Sequence, residues 1–111
     1  MTDKYLYCED LAQSVQISPG SIVSRSLHAD ERTKVVLFGF DTGQELSEHT
    51  ASVPAIIHIL SGEAELNLGG ETKNATAGSW AWMPANLPHG IVAKTPVVML
   101  LTMLKSTAGS G

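Results

Sequence analysis

The sequence predicts an all-β domain in which short antiparallel strands form a sandwich or a barrel. Short stretches rich in β-branched and apolar residues recur along its 111 residues. Turn signals such as Pro19-Gly20 and Gly69-Gly70 separate these stretches. No segment has the helical period expected of a crossover between parallel strands, so we expect the strands to pair in the antiparallel sense.

The predicted strands are bounded by turn and loop residues. They are 22–27, 34–40, 55–60, 63–68, 79–83, 90–93 and 97–104. Segment 63–68 has the clearest pattern, because apolar and polar residues alternate with the two-residue period of a half-buried strand. Gly69-Gly70 follows as a hairpin turn, in which glycines tolerate positive φ. The charged segment 28–33 is expected to be a loop, and 6–12 a short helix or part of an arm.

The length is typical of one domain and too short for two. Hydrophobic residues make up 43% of the chain, which is enough to form a core. We expect an N-terminal arm at 1–13, a barrel at 14–105, and a small, polar, flexible tail at 106–111.

Charge and composition argue against several classes of partner. The formal charge is −4 and no Lys/Arg cluster is present, so we expect no nucleic-acid binding. The longest apolar run, 97–104, is too short to cross a bilayer, and we expect no membrane segment. The single cysteine, Cys8, excludes an internal disulfide. With no apolar stretch near the N-terminus that resembles a signal peptide, this favours a cytoplasmic protein.

Two segments of the chain share a pattern of spaced glycine, proline and histidine residues. The anchors are Gly43, His49 and Gly62 in the first segment, and Gly78, Pro84 and His89 in the second. This frame resembles the two motifs of the cupin family, and the resemblance implies an antiparallel jelly-roll β-barrel over about residues 35–104. Asn86 stands where the second motif has its second glycine, and Ala93 stands at its final asparagine. The chain is similar to small stand-alone bacterial cupins, most of which have no assigned reaction.

The resemblance also implies a metal site from which two ligands have been lost. In the family, three histidines and a glutamate hold one divalent metal inside the barrel. His49 and His89 are present here, whereas Ala51 stands at the second histidine and Ala55 at the glutamate. Imidazole and carboxylate ligands suit iron, manganese, nickel, copper or zinc. Two imidazoles are fewer than the three ligands usual for catalytic zinc, so we expect the metal site to be weak or absent.

Three further side chains are candidates for a replacement ligand. Glu45 lies four residues before His49 and shares its side of a regular strand, while Glu48 points to the opposite side. Ile57 lies two residues after Ala55, the lost glutamate position, and is therefore expected to face the lumen with it. His58, the next residue, is expected to face outward. A packing or dimer-interface role is therefore favoured for His58, unless a bulge shifts the register.

Loss of a histidine and a glutamate makes the predicted lumen larger and less polar, as in a pocket for a small, partly apolar molecule. The predicted lining is His49, Ala51, Ala55, Ile57, His89 and Trp82. The two histidines would orient a ligand or move a proton, or else simply bond to each other, to backbone or to water. Trp80 and Trp82 share one strand face, and wall packing is favoured over ligand stacking.

Two functions therefore remain open from sequence. The first is a binding module for a small molecule. The second is a metal-dependent enzyme of the dioxygenase or isomerase kind, using His49, His89 and an unidentified third ligand. A homodimer is expected, partly from the resemblance and partly because exposed edge strands need covering.

Overall fold

The computed structural model describes residues 4–105. A short 3₁₀ helix at Leu11–Gln13 precedes the strands of this part of the chain. These are β1 (Ile22–Ala29), β2 (Thr33–Phe40), β3 (Glu45–His49), β4 (Ala55–Ser61), β5 (Glu63–Leu68), β6 (Glu71–Thr76), β7 (Trp80–Met83), β8 (His89–Ala93) and β9 (Val97–Leu104).

The strands form two sheets that together make a jelly-roll β-barrel. The five-stranded sheet has the order β1-β2-β9-β4-β7, and the four-stranded sheet has the order β3-β8-β5-β6. Every pairing between neighbouring strands is antiparallel. The all-β, antiparallel jelly-roll prediction is therefore confirmed.

The seven predicted strands are all found, and two strands outside that list, β3 and β6, are present as well. The expected loop at 28–33 is shorter, because β1 continues to Ala29 and β2 begins at Thr33. The carboxylate of Asp30 closes this tight turn by accepting the backbone N–H groups of Arg32 and Thr33, at 2.7 and 2.8 Å. Strand β6 was not predicted, because it is polar at nearly every position and buries only Ala75.

Alternating side chains from both sheets fill the interior. On β4, Ala55, Ile57 and Ile59 are buried while the residues between them are partly exposed. Across the barrel, Leu66 of β5 and Ile91 of β8 are buried and belong to the same apolar cluster. Each large apolar side chain contributes about 1.5–3 kcal/mol when fully buried, so the alternation largely determines which face of each strand points inward.

The segment after the 3₁₀ helix crosses the outer face of the five-stranded sheet. A Cβ placed on Gly39 of β2 would lie 3.0 Å from the side chain of Ile17 and 3.4 Å from that of Val15. Arg25 of β1 donates to the carbonyl of Ser14 at 2.8 Å. The predicted tail at 106–111 and the first three residues of the predicted arm lie outside the described residues. Within residues 4–105, no helix is long and apolar enough to cross a membrane.

Candidate functional site

The imidazole rings of His49 and His89 lie beside each other in the structure. They occupy paired positions on β3 and β8, and their ring centroids lie 4.3 Å apart with an interplanar angle of 56°. His89 is 8% exposed, whereas His49 is exposed. The pair therefore extends from the interior toward the surface.

Both imidazoles are held in one tautomer by the backbone. Nδ1 of His49 lies 2.8 Å from the carbonyl oxygen of Ser47, and Nδ1 of His89 lies 2.8 Å from that of Leu87. A carbonyl oxygen can only accept a hydrogen bond, so Nδ1 carries the hydrogen in each ring. In the neutral imidazole the lone pair is then on Nε2. The two adjoining rings thus each present an acceptor nitrogen, which a hydrogen-bond donor, water or a cation can satisfy.

A cavity of about 70 Å³ lies beside this pair. Its lining residues are Phe38, Leu46, His49, Ile57, His89, Gly90, Ile91, Met99 and Leu101. Among them, the two imidazoles are the only polar side chains. An apolar cavity of about 150 Å³ holds benzene, so this one suits a group of only a few non-hydrogen atoms. A larger ligand would extend outward past His49.

A β-bulge in β3 directs His49 into the barrel. Leu46 pairs with Ile91 and His49 pairs with His89, and the register shifts between these two pairs. As a result, Leu46 and His49 both line the cavity although they are three residues apart. Gly90 permits this bulge, because a Cβ there would lie 2.9 Å from the carbonyl oxygen of Leu46 and 3.2 Å from the amide nitrogen of Glu48.

The bulge overturns the expectation that Glu45 shares the side of His49. Glu45 pairs with Val92, which is exposed, and lines a groove on the outer face of the four-stranded sheet together with Glu48 and Glu65. The prediction assumed a regular strand and was wrong for this reason. Within residues 4–105, no group of three or more His, Cys, Asp or Glu side chains is placed to hold a metal ion. The two imidazoles are fewer than the three ligands usual for catalytic zinc.

The predicted lining residues are only partly brought together. Ile57 lines the cavity with the two histidines. Ala55 is buried in the core outside the cavity lining, and Ala51 lies in the loop after β3, where its carbonyl accepts the amide of Asn86 at 2.7 Å. Trp82 faces outward and is 52% exposed, because it pairs with the outward-facing Ile56. It lies outside the cavity that we predicted it to line.

Most of the apolar lining was not singled out from sequence. It comes from Phe38, Leu46, Ile91, Met99 and Leu101. Met99 and Leu101 are two residues apart in β9 and therefore face the same side of the strand. This spacing could have been used to predict that both line the lumen. The inward position of Leu46 depends on the bulge and has no comparable signal.

His58 lies on the outer face of the five-stranded sheet, as the alternation predicted. Its neighbours Ile57 and Ile59 are buried, whereas His58 is half-buried and pairs with Trp80 on β7 and Leu100 on β9. The register shift in β4 occurs only after Ile59, so it does not turn His58 inward.

The motif anchors set the backbone around the site. Gly43, Gly62 and Gly78 have φ values of 83°, 88° and 97°. Asn86, at the second-glycine position, has φ of 69°, and asparagine is one of the few residues that enter this left-handed region routinely. Gly62 also lies against the carbonyl oxygen of Pro96, which a Cβ would approach to 2.0 Å.

Two carboxylates with shifted pKa values lie in turns away from the cavity. The pKa of Asp30 is held far below its ordinary value by the hydrogen bond from His28, then by the amides of Thr33 and Arg32. The pKa of Asp41 is lowered mainly by the backbone amide of Gly20. Both shifts reflect hydrogen bonds that fix turns of the barrel.

Comparison with known proteins identifies the family. A family model for the cupin domain matches residues 36–103. The chain therefore belongs to the cupin family, which confirms the resemblance in its motifs. No curated protein sequence matches the chain.

Solved structures give the same assignment of fold. A conserved Streptococcus pyogenes protein of unknown function is 33% identical, with a TM-score of 0.84 over 96% of this chain and 93% of that one. A cupin superfamily protein from Desulfitobacterium hafniense is 25% identical, with a TM-score of 0.84 over 91% and 95%. A cupin 2 conserved barrel domain protein from Leptotrichia buccalis is 30% identical, with a TM-score of 0.78 over 85% of this chain and 46% of that one.

Proposed function

We propose that this protein binds a small, partly apolar molecule in the barrel lumen around His49 and His89. The observation that carries the proposal is the pair of Nε2 acceptors beside an otherwise apolar cavity. An apolar pocket with a few convergent polar groups is the usual form of a small-molecule site.

The fixed tautomers indicate which end of the ligand lies at the histidines. Each ring already uses its Nδ1–H on a backbone carbonyl, so a neutral pair can only accept hydrogen bonds from a ligand. A hydroxyl, amine or amide N–H satisfies this requirement, whereas a carboxylate would place acceptors against acceptors. The ligand class is therefore a compact molecule with a hydrogen-bond donor attached to an apolar body.

The donor requirement can be tested with two probes of nearly equal size. The protein, with ¹⁵N-labelled histidine and with EDTA present, is titrated with 2-propanol and separately with acetone, which lacks the hydroxyl donor. We expect 2-propanol to move the Nε2 resonances of His49 and His89 and acetone to leave them nearly unchanged. His28 and His58 serve as internal references, because they lie outside the cavity lining. Equal responses at all four histidines, or none with 2-propanol, would contradict the proposal.

A metal-dependent enzyme of the dioxygenase or isomerase kind is the second candidate. The favouring observation is again the Nδ1–carbonyl bond at both histidines, because metal-binding histidines commonly use such a bond to present the other nitrogen to the metal. A bound divalent metal would act as a Lewis acid. His49 and His89 alone supply two ligands, so this candidate requires a third from elsewhere.

Metal content separates the two candidates. Elemental analysis of the purified, tag-free protein is compared with that of His49→Ala. Near-stoichiometric metal that disappears in the variant would favour the enzyme. No retained metal after loading with iron, manganese, nickel, copper and zinc would overturn it and leave the metal-free pocket.

We place this activity in the cytoplasm. The thiol of Cys8 is free and half-buried, and a reducing compartment keeps such a thiol from forming intermolecular disulfides. Fractionation of cells that express the protein would test this assignment, and recovery in the periplasmic or secreted fraction would contradict it.

A further inference from the structure

The strand connections show which end of the barrel holds the histidine pair. Residues 50–54 connect His49, at the end of β3, to Ala55, at the start of β4. Residues 84–88 likewise connect the end of β7 to His89, at the start of β8. The histidine pair and the Ala55 end of the five-stranded sheet therefore lie at the same end of the barrel, here named the mouth.

Lys34 lies at the mouth, on the lumenal face of β2. It pairs with Met103 of β9, which in turn pairs with Ala55. The pairing of β2 with β9 has no register shift, so Lys34 leaves the strand on the same side as Phe38, which lines the cavity. Met103 packs against the core, as expected of a lumenal residue. The side chain of Lys34 therefore lies on the lumenal side of β2, between the cavity and solvent.

Two further cationic residues lie at the same end of β2 and β9. The pairing of these strands continues beyond Lys34, because the amide of Lys105 donates to the carbonyl of Arg32 at 2.8 Å. Arg32, Lys34 and Lys105, here named the cationic rim, are three of the seven Lys and Arg residues of the chain. All three are exposed, and none takes part in the ion pairs found within residues 4–105.

The acidic residues of the same turn only partly offset this charge. These are Asp30 and Glu31, and the carboxylate of Asp30 is already bonded to His28 and to two backbone amides. Nζ of Lys105 donates to the carbonyl oxygen of Asp30 at 2.8 Å, which uses one of the three N–H groups of its ammonium. An excess of positive charge therefore lies at the mouth, although the chain as a whole carries −4.

An apolar strip connects the cationic rim with the cavity. Val36 and Leu101 form a pair between Lys34 and Phe38 along the lumenal face. Val36 is 8% exposed, and Leu101 lines the cavity. The four residues from Lys34 to Phe38 span about 13 Å of strand. The flexible four-carbon stem of a lysine can shorten the gap to the cavity to about 7 Å.

We propose that the ligand is an amphipathic acid that lies along this strip, with a hydrogen-bond donor at the histidine pair and an anionic group at the cationic rim. Lys34 is the specificity-determining residue for the anionic group. This inference rests on the proposed function, because it assumes a ligand at the histidines. The neutral imidazoles accept hydrogen bonds, whereas ammonium and guanidinium groups bind anions, so the two ends of the ligand cannot exchange places.

Two probes that share one hydroxyl and one chain length test the outer end of the ligand. The protein, with ¹⁵N-labelled histidine and EDTA at pH 7.5 and low salt, is titrated with 6-hydroxyhexanoate and separately with 1-hexanol. The Nε2 resonances of His49 and His89 report the dissociation constants. We expect 6-hydroxyhexanoate to bind about fivefold more tightly, the upper range for an exposed ion pair. The difference should shrink in about 0.5 M salt, which screens the rim.

A matched pair of variants assigns the preference to Lys34. Lys34→Met removes the charge and keeps an unbranched stem, so we expect the two probes to bind equally while the affinity for 1-hexanol stays as in the wild type. Lys73→Met is the control, because Lys73 is an exposed lysine of β6 in the other sheet, and the preference should persist. Circular dichroism establishes that both variants are folded.

The outcomes separate this inference from the proposed function. Equal affinities for the two probes in the wild type, or a preference that survives Lys34→Met, would overturn the assignment of the cationic rim and leave the lumenal pocket in place. A preference lost equally in Lys73→Met would also overturn it, because it would then reflect the charge of the whole molecule. No response of either histidine to either probe would overturn both proposals.

Discussion

His49 and His89 are directly opposed across antiparallel strands, and each donates Nδ1–H to the carbonyl two residues before it in the chain. The repeated local bond means that each ring is oriented by the backbone immediately before it in the chain. The site is therefore preorganised, and a ligand does not have to supply the energy for aligning the rings.

The two histidines should differ in their contribution to stability. We expect His89→Ala to lower the free energy of unfolding by about 1–3 kcal/mol, because it removes a buried ring and the donor to the Leu87 carbonyl. His49→Ala should cost less than about 1 kcal/mol, since this ring is exposed. Urea denaturation at pH 7.5 measures both values. A larger loss for His49→Ala would contradict the placement of the pair.

Gly90→Ala should disturb the site without altering any polar group. The new methyl group would lie 2.9 Å from the Leu46 carbonyl, so β3 must shift or lose its bulge. We expect a destabilisation of about 1–3 kcal/mol and a changed environment for His49. Urea denaturation and the histidine ¹⁵N spectrum measure the two effects. Unchanged His49 resonances would show that the bulge does not depend on this glycine.

Gly62→Ala should destabilise the barrel more than Gly78→Ala does. Both glycines have positive φ, which costs an alanine about 1–2 kcal/mol. Only at Gly62 would the added Cβ also meet a backbone atom, the Pro96 carbonyl oxygen at 2.0 Å, whereas nothing lies within 4 Å at Gly78. Thermal unfolding of the two variants gives the comparison, and equal losses would contradict the close approach at Gly62.

Restoring the two lost family ligands should restore metal binding. The double variant Ala51→His/Ala55→Glu is expected to be less stable than wild type without metal, because Ala55 is 2% exposed and its replacement buries a carboxylate. Zinc or manganese at 100 times its dissociation constant should then recover about 2.7 kcal/mol. Calorimetry with and without metal tests this, with His49→Ala in the same background as control. No metal-dependent stabilisation would mean that residues 51 and 55 do not face the histidine pair.

Asp30 should contribute stability that depends on pH. Its pKa in the folded protein is lowered, chiefly by His28, so its contribution is fully present above the ordinary pKa of about 3.9 and is lost as pH falls through the folded value. We therefore expect Asp30→Asn to be less stable than wild type at pH 7, with a difference that shrinks below about pH 4. Thermal unfolding from pH 3 to 7 measures this. Glu31→Gln, in the same turn, controls for loss of a negative charge.

The fold was predictable because its information is local. Strand β5 alternates residue by residue, β9 is an apolar run broken only by Thr102, and the glycine anchors mark turns. Strand β6 was missed because a polar strand with one buried alanine has no such period. Asn86 was assigned to a glycine position from the spacing of the family motif, and its φ of 69° is one that asparagine tolerates.

The site was less predictable because it depends on contacts across strands. The pairing of His49 with His89 follows from the family frame. The outward position of Glu45 instead depends on a bulge that Gly90 permits from the neighbouring strand. Whether Trp82 points into the lumen or outward likewise depends on its pairing with Ile56. The sequence of residues 80–83 alone does not specify that pairing.

The bulge in β3 changes by one residue which positions of the strand point into the lumen. Upstream of it the inward position is Leu46, and the acidic residues Glu45 and Glu48 lie in the outer groove. A carboxylate introduced at Leu46 would therefore enter the lumen beside His49, whereas the native Glu45, one residue earlier in the chain, faces solvent. Moving an acidic side chain by one position along β3, from residue 45 to residue 46, would therefore take it from the outer groove to the lumen, where it could serve as a third metal ligand.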